Sequence, residues 1–208
     1  MNRFAIPAFA VAALLTIAPA GAQQATVITD PAAAPSGKYS VHPDHTQVVF
    51  SIFHMGISPY MGSFGRATGT LDFDSKTPEK SAVSVDIDMT STSTASEEIR
   101  NQLLSASVFD TTKFPKASFK STSIRKTSEN TGDITGDLTL HGVTKPVTLH
   151  ARFHGMAQNM SNGAARLGFS ATAELKRSDF GLTFMRWAPM VDDSVDLLIE
   201  AEFVQDKK

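Results

Sequence analysis

Few residues of this chain could carry chemistry, and the first of them is His54. It follows Val48, Phe50 and Ile52 at alternate positions, so a strand holds its imidazole on the same face as three apolar side chains. An imidazole buried there needs a hydrogen-bonding partner. Two roles fit: tying strand to loop at the rim of a sheet, or meeting the polar head of a bound molecule. Residues 182–191, LTFMRWAPMV, follow a break at Gly181 and set Phe184, Met185, Trp187 and Met190 around Arg186. That run is too apolar for an ordinary exposed loop. It suits a core plug, a membrane contact, or an adaptable wall and mouth for an apolar chain with Arg186 near an anionic head. His150 and His154 share a strand face with Arg152. Strand spacing puts the two imidazoles about 13 Å apart, too far to hold one metal ion without distortion. Asp44 and His45 suit the cap of a local turn. No nucleophile elbow, phosphate loop, HExxH or dinucleotide fingerprint occurs. The expectation is a protein that is not an enzyme, with no catalytic residue, no metal and no cofactor.

Strands must position these groups. Residues 136–149, GDLTLHGVTKPVTL, lie in a long hairpin: Ile134, Gly136, Leu138 and Leu140 alternate with polar residues, and Val147, Leu149, Ala151 and Phe153 resume the alternation after Gly142. Gly142 supplies the positive φ of the turn, and Lys145-Pro146 resets the chain to an extended start or edge. The same period runs through residues 48–54, 69–73, 83–89, 117–124, 165–176 and 195–204, about eight half-buried antiparallel strands in all. In the first of them Val49 and Phe53 make the second face apolar as well, and a helix or a terminus could cover it. The one good helix is 95–104, where Thr94 and Glu97 have capping-box spacing and Ile99 and Leu103 share a side. One short helix cannot cover eight strands, so the economical solution is an all-β, eight-stranded antiparallel barrel, with a two-sheet sandwich as the alternative. A membrane-spanning barrel is disfavoured, because two Tyr and one Trp cannot build interfacial girdles. Inward candidates Gly69, Ala117, Gly136, Ala151, Ala171 and Ala173 are small and would leave room between Phe50, Phe73, Phe119, Phe153 and Phe169. Ordinary large-and-small alternation in a packed core fits the same residues equally.

The first residues, MNRFAIPAFAVAALLTIAPAGA, place Arg3 before an apolar run broken by Pro7 and end on small residues. They read as a secretory signal cleaved after Ala22, which implies a bacterial periplasmic protein. Residues 23–37, rich in Ala with Pro31, Pro35 and Gly37, read as a mobile linker. Residues 38–208 suit one domain with a sizeable core. Cysteine is absent, so neither disulfides nor thiolate metal sites are possible. A formal charge of −2, spread without basic blocks, offers no nucleic-acid footprint.

At the level of motifs the chain resembles the YceI family of periplasmic, lipocalin-like proteins, several of which bind polyisoprenoids or other long-chain amphiphiles. The resemblance rests on Asp44-His45-Thr46 with Val48, Phe50, His54, Gly56, Ser58, Gly62 and Phe64, a compressed form of the family's opening block with its later spacing kept. Ser91 to Thr94, Phe109-Asp110, Lys113-Phe114-Pro115, Ser118 to Thr122, the block from Gly136 to Val147, and Arg177-Ser178-Asp179-Phe180-Gly181 follow in order. In the helix the family's Arg-Asp-x-His-Leu is replaced by Ile99-Arg100-Asn101-Gln102-Leu103, so roles of that charged pair and His do not carry over. The resemblance implies a lipocalin-like barrel that encloses an isoprenoid quinone, polyprenyl derivative or fatty acid amide as its partner, for carriage or storage. It admits transient membrane contact and a homodimer. The expected lining comprises Phe50, Ile52, His54, Phe64, Leu71, Val85, Ile87, Ile99, Leu103, Phe119, Leu138, Phe153 and Phe169, with Phe184, Arg186 and Trp187 at the mouth. Two other readings stay open: an isomerase or hydrolase acting on an enclosed lipid with His54 as acid or base, and a packed, stress-related interaction module.

Overall fold

Alternation of apolar and polar side chains gives each strand one oily face, and the chain covers that face by closing the sheet on itself. In this computed structural model, which describes residues 26–158, 163–183 and 189–207, eight antiparallel strands form a closed barrel. Three of them come in two pieces: β1 (Gly37–Val41 and Gln47–His54), β2 (Ser58–Phe64 and Ala67–Phe73) and β3 (Ala82–Asp88 and Thr92–Thr94). The others are continuous: β4 (Lys116–Lys126), β5 (Thr131–Leu140), β6 (Val143–Gln158), β7 (Ala165–Lys176) and β8 (Val191–Gln205). Neighbours in sequence are neighbours in the sheet, and β8 closes the ring on both pieces of β1, through Phe203 opposite Val41 and Leu197 opposite Phe50. The central hairpin forms as expected, and it pairs Leu138 with Lys145 and Gly136 with Val147. Its turn uses His141 (φ 52) and Gly142 (φ 76), a pair of left-handed residues that matches the twist of the flanking strands.

The breaks in β1, β2 and β3 lie at one level of the barrel. Residues Pro43–His45 and Met89–Ser91 form 3-10 turns, and Gly65-Arg66 separates the two pieces of β2. Hydrogen bonds from Asp88 N to the Arg66 carbonyl and from Met89 N to the Pro115 carbonyl stitch this level across to β4. Below it the barrel is solid. Tyr39, Leu71, Phe73, Phe153, Leu167 and Phe203 are buried there, and the Phe153 and Phe169 rings stand 5.3 Å apart, with Phe203 6.0 Å beyond. Tyr39 is fully buried and its hydroxyl donates to the Pro35 carbonyl at 2.7 Å. Burial pushes this phenol up to about 12. Tyr39→Phe should therefore cost about 1 kcal/mol, a melting-temperature loss of about 2–4 °C by calorimetry, because the Pro35 carbonyl loses its donor.

Two expectations need correction. The described part of the presumed linker is docked: Ile28 bridges Met156, Asp30 caps the turn Pro31–Ala33, and Ala34 is buried. Its few apolar side chains suffice because they close the solid end of the barrel. The helix, α1 (Glu97–Leu104), starts later than expected, and its cap is Ser96, whose hydroxyl accepts from Ile99 N, with Glu97 and Glu98 complementing the dipole. Thr94 belongs to β3 instead and donates to the Ser96 carbonyl. The presumed signal, residues 1–22, lies outside the described residues.

Candidate functional site

Above the seam the barrel is hollow. β1, β3, β5, β7 and β8 turn Phe50, Ile52, Ile87, Leu138, Leu140, Leu175, Val195 and Leu197 into a partly open cavity of about 250 Å³. α1 closes one side with Ile99, Gln102 and Leu103, and the turn that follows adds Val108 and Phe109. That turn is held by its own backbone, Phe109 N donating to the Leu103 carbonyl and Asp110 N to the Ser105 carbonyl. Phe180 and Leu182 complete the wall beside Arg177. Among the described residues the lining is apolar except for four side chains, His54, Tyr60, Gln102 and Arg177.

These four differ in what they offer. Arg177 is buried, and its guanidinium donates to the carbonyls of Leu182 at 2.7 Å, Asp192 at 2.9 Å and Val191 at 3.3 Å. It thereby ties Leu182 to Val191 and Asp192 at the start of β8. The Tyr60 hydroxyl oxygen is buried and has no hydrogen-bond partner among the described residues. An orphaned hydroxyl in an apolar wall costs free energy until something polar meets it. His54 lies half-buried at the lining, and no hydrogen bond among the described residues ties its ring to a loop.

Of the residues expected to line a cavity, Phe50, Ile52, His54, Phe64, Ile87, Ile99, Leu103 and Leu138 do so. Leu71, Val85, Phe153 and Phe169 do not; they pack in the solid end. Phe119 packs beside Val147 and Ala173. Alternation puts all of these on the inner face but does not say at what height the interior is filled. The small residues expected to open space mostly do not, since a Cβ on Gly136 would meet the Phe119 ring at 2.5 Å and one on Gly69 would meet the Ser84 carbonyl at 2.2 Å. Only Ala117 of that set borders the cavity. Phe184, Arg186 and Trp187 lie outside the described residues. His150 pairs with Asp133 and His154 with Ser170, both on the exposed outer face.

Sequence reasoning missed Tyr60, Arg177, Val108 and Phe109. Arg177 carried a signal, because a charged residue opens the motif Arg177-Ser178-Asp179-Phe180-Gly181 where β7 ends.

The sequence and the fold have known counterparts. Protein YceI of Shigella flexneri is 43% identical over 163 residues, covering 78% of this chain and 83% of that relative. A crystallised YCEI protein of Campylobacter jejuni is 30% identical with a TM-score of 0.64, over 74% of this chain and 90% of that one. A polyisoprenoid binding domain of Saccharophagus degradans shares the fold at 14% identity, with a TM-score of 0.63 over 81% of this chain and 98% of that one. The family model for the YceI-like domain matches residues 39–203, which reach from within β1 to within β8. The chain belongs to the YceI-like family.

Proposed function

We propose that this protein is an exported, periplasmic carrier that takes the tail of a long-chain amphiphile into the hollow end of the barrel. The cargo would be a polyisoprenoid, an isoprenoid quinone or a fatty acid amide. The observation that carries this reading is an apolar cavity whose wall holds, among the described residues, one hydroxyl without a partner, that of Tyr60. Such a wall rewards a ligand with an oily body and a single polar feature. The described binding role of the Saccharophagus degradans domain, on the same fold, supports it. Burying about ten methylenes at about 0.8 kcal/mol each gives roughly 8 kcal/mol, enough for micromolar binding before ordering costs. At about 250 Å³ the cavity is smaller than many ligand sites, so a long tail enters in part. Binding alone accounts for these groups; no bond needs to be made or broken. Export rests on the character of residues 1–22.

Cargo of this kind must be collected from a bilayer, and the hairpin between β1 and β2 is suited to that contact. From Gln47 to Gly65 it has no Asp, Glu, Lys or Arg. It exposes Met55 at 61%, Ile57 at 78% and Met61 at 56%, with Phe53 beside them. Its three-residue tip, Met55-Gly56-Ile57, stands beside the cavity residues His54 and Val191. Purified protein stripped of lipid should extract a labelled prenyl lipid from phospholipid vesicles. Ile57→Asp should slow that extraction about tenfold while leaving affinity for the same lipid in detergent unchanged. Failure of the unmodified protein to extract any prenyl lipid, with no lipid in the native protein by mass spectrometry, would sink the carrier reading.

A further inference from the structure

Away from the cavity, on the outer side of the seam, three side chains with metal-binding atoms converge. We infer that His42, His45 and Glu202 form a site for a borderline divalent transition-metal ion of the zinc or copper class. One ligand atom from each lies within 4.8 Å of the other two. The backbone builds this arrangement: His42 follows the first piece of β1, Pro43 starts the 3-10 turn, and the turn brings His45 back over His42 with ring centroids 4.6 Å apart. Glu202 is fixed from both sides. His42 N donates to its carbonyl at 2.8 Å, and its own N–H donates to the Thr46 hydroxyl at 3.2 Å. Asp44 and His45, expected to cap this turn, make no side-chain cap; the His45 Nδ1 lies 3.1 Å from Glu202 Oε2.

Two further observations point to a ligand. The Nδ1 of His42 is buried and has no hydrogen-bond partner among the described residues, an unpaired lone pair or N–H that water does not reach. Arg166 takes the other carboxylate oxygen, Oε1, and so leaves Oε2 facing the imidazoles. Two imidazoles and one carboxylate are a donor set that suits zinc and copper(II) and leaves a fourth position for water. An ion with bonds of about 2.0–2.2 Å holds its donors roughly 3.5 Å apart, so the widest separation must close by about 1 Å. His45, exposed to solvent, has the freedom to make that movement. Arg166 is a cation close to the ion and weakens its hold, so the expected behaviour is that of an exchangeable site.

Tag-free protein titrated with zinc sulfate or copper sulfate in a calorimeter should bind one ion per chain at this site and gain thermal stability. His42→Ala and His45→Ala should each weaken that binding at least about tenfold and remove the stabilisation, whereas His150→Ala should do neither. The melting temperature of each variant without metal separates loss of the ion from loss of the fold; if His42→Ala unfolds, His42→Gln replaces it. No binding by the unmodified protein, or binding that both His42 and His45 variants retain, overturns the inference.

Discussion

Tryptophan in place of Ala117 should abolish uptake of a long chain while the barrel stays folded. Ala117 is buried on β4 and borders the cavity, where the new ring has free space to occupy. A ring that displaces about five methylenes of cargo removes about 4 kcal/mol, close to a thousandfold in affinity. The cost to the fold is small, because overpacking penalties arise where a site is already full. Lys120→Trp, on the outer face of the same strand, adds the same bulk without entering the barrel and should bind normally. Fluorescence titration with a labelled fatty acid amide measures both. Equal affinities for the two variants would show that cargo binds elsewhere.

The second large effect concerns stability. Arg177→Met keeps most of the buried volume and removes the guanidinium that donates to the Leu182, Val191 and Asp192 carbonyls. Leaving the buried Leu182 carbonyl and the part-buried Val191 carbonyl without these bonds should cost about 2–4 kcal/mol, a fall of about 8 °C in melting temperature for a domain of this size. Arg177→Lys restores the charge without the planar fork, so it should recover less than half of the loss. A calorimetric midpoint for Arg177→Met within 2 °C of the unmodified protein would mean that the guanidinium is not what secures this segment.

Period-two alternation made the strands legible, because each is buried on one face and any slip of one residue would expose that face. It also concealed the seam. Met89 keeps the parity of Val83, Val85 and Ile87, yet it sits in a 3-10 turn where the strand is already broken. Parity told inside from outside and nothing about height, so Phe153 and Leu138 looked equivalent although one fills the solid end and the other faces the cavity. Whether space is open depends on which neighbouring ring leans into it, as Phe119 does over Gly136. Val108 and Phe109 had no period to betray them, since a turn held by its own backbone places them. The convergence of His42 and His45 on Glu202 joins residues more than 150 positions apart, and only closure of the ring brings them together.

Three consecutive strands interrupted at one height divide the labour of the molecule. Aromatic packing beneath that line forms a core of its own, so substitutions of cavity-lining side chains that hold no backbone, unlike Arg177, can reshape the hollow without loosening the foundation. If the proposed carrier function holds, a lineage could change its cargo by altering the upper storey alone, and relatives would be expected to diverge most there.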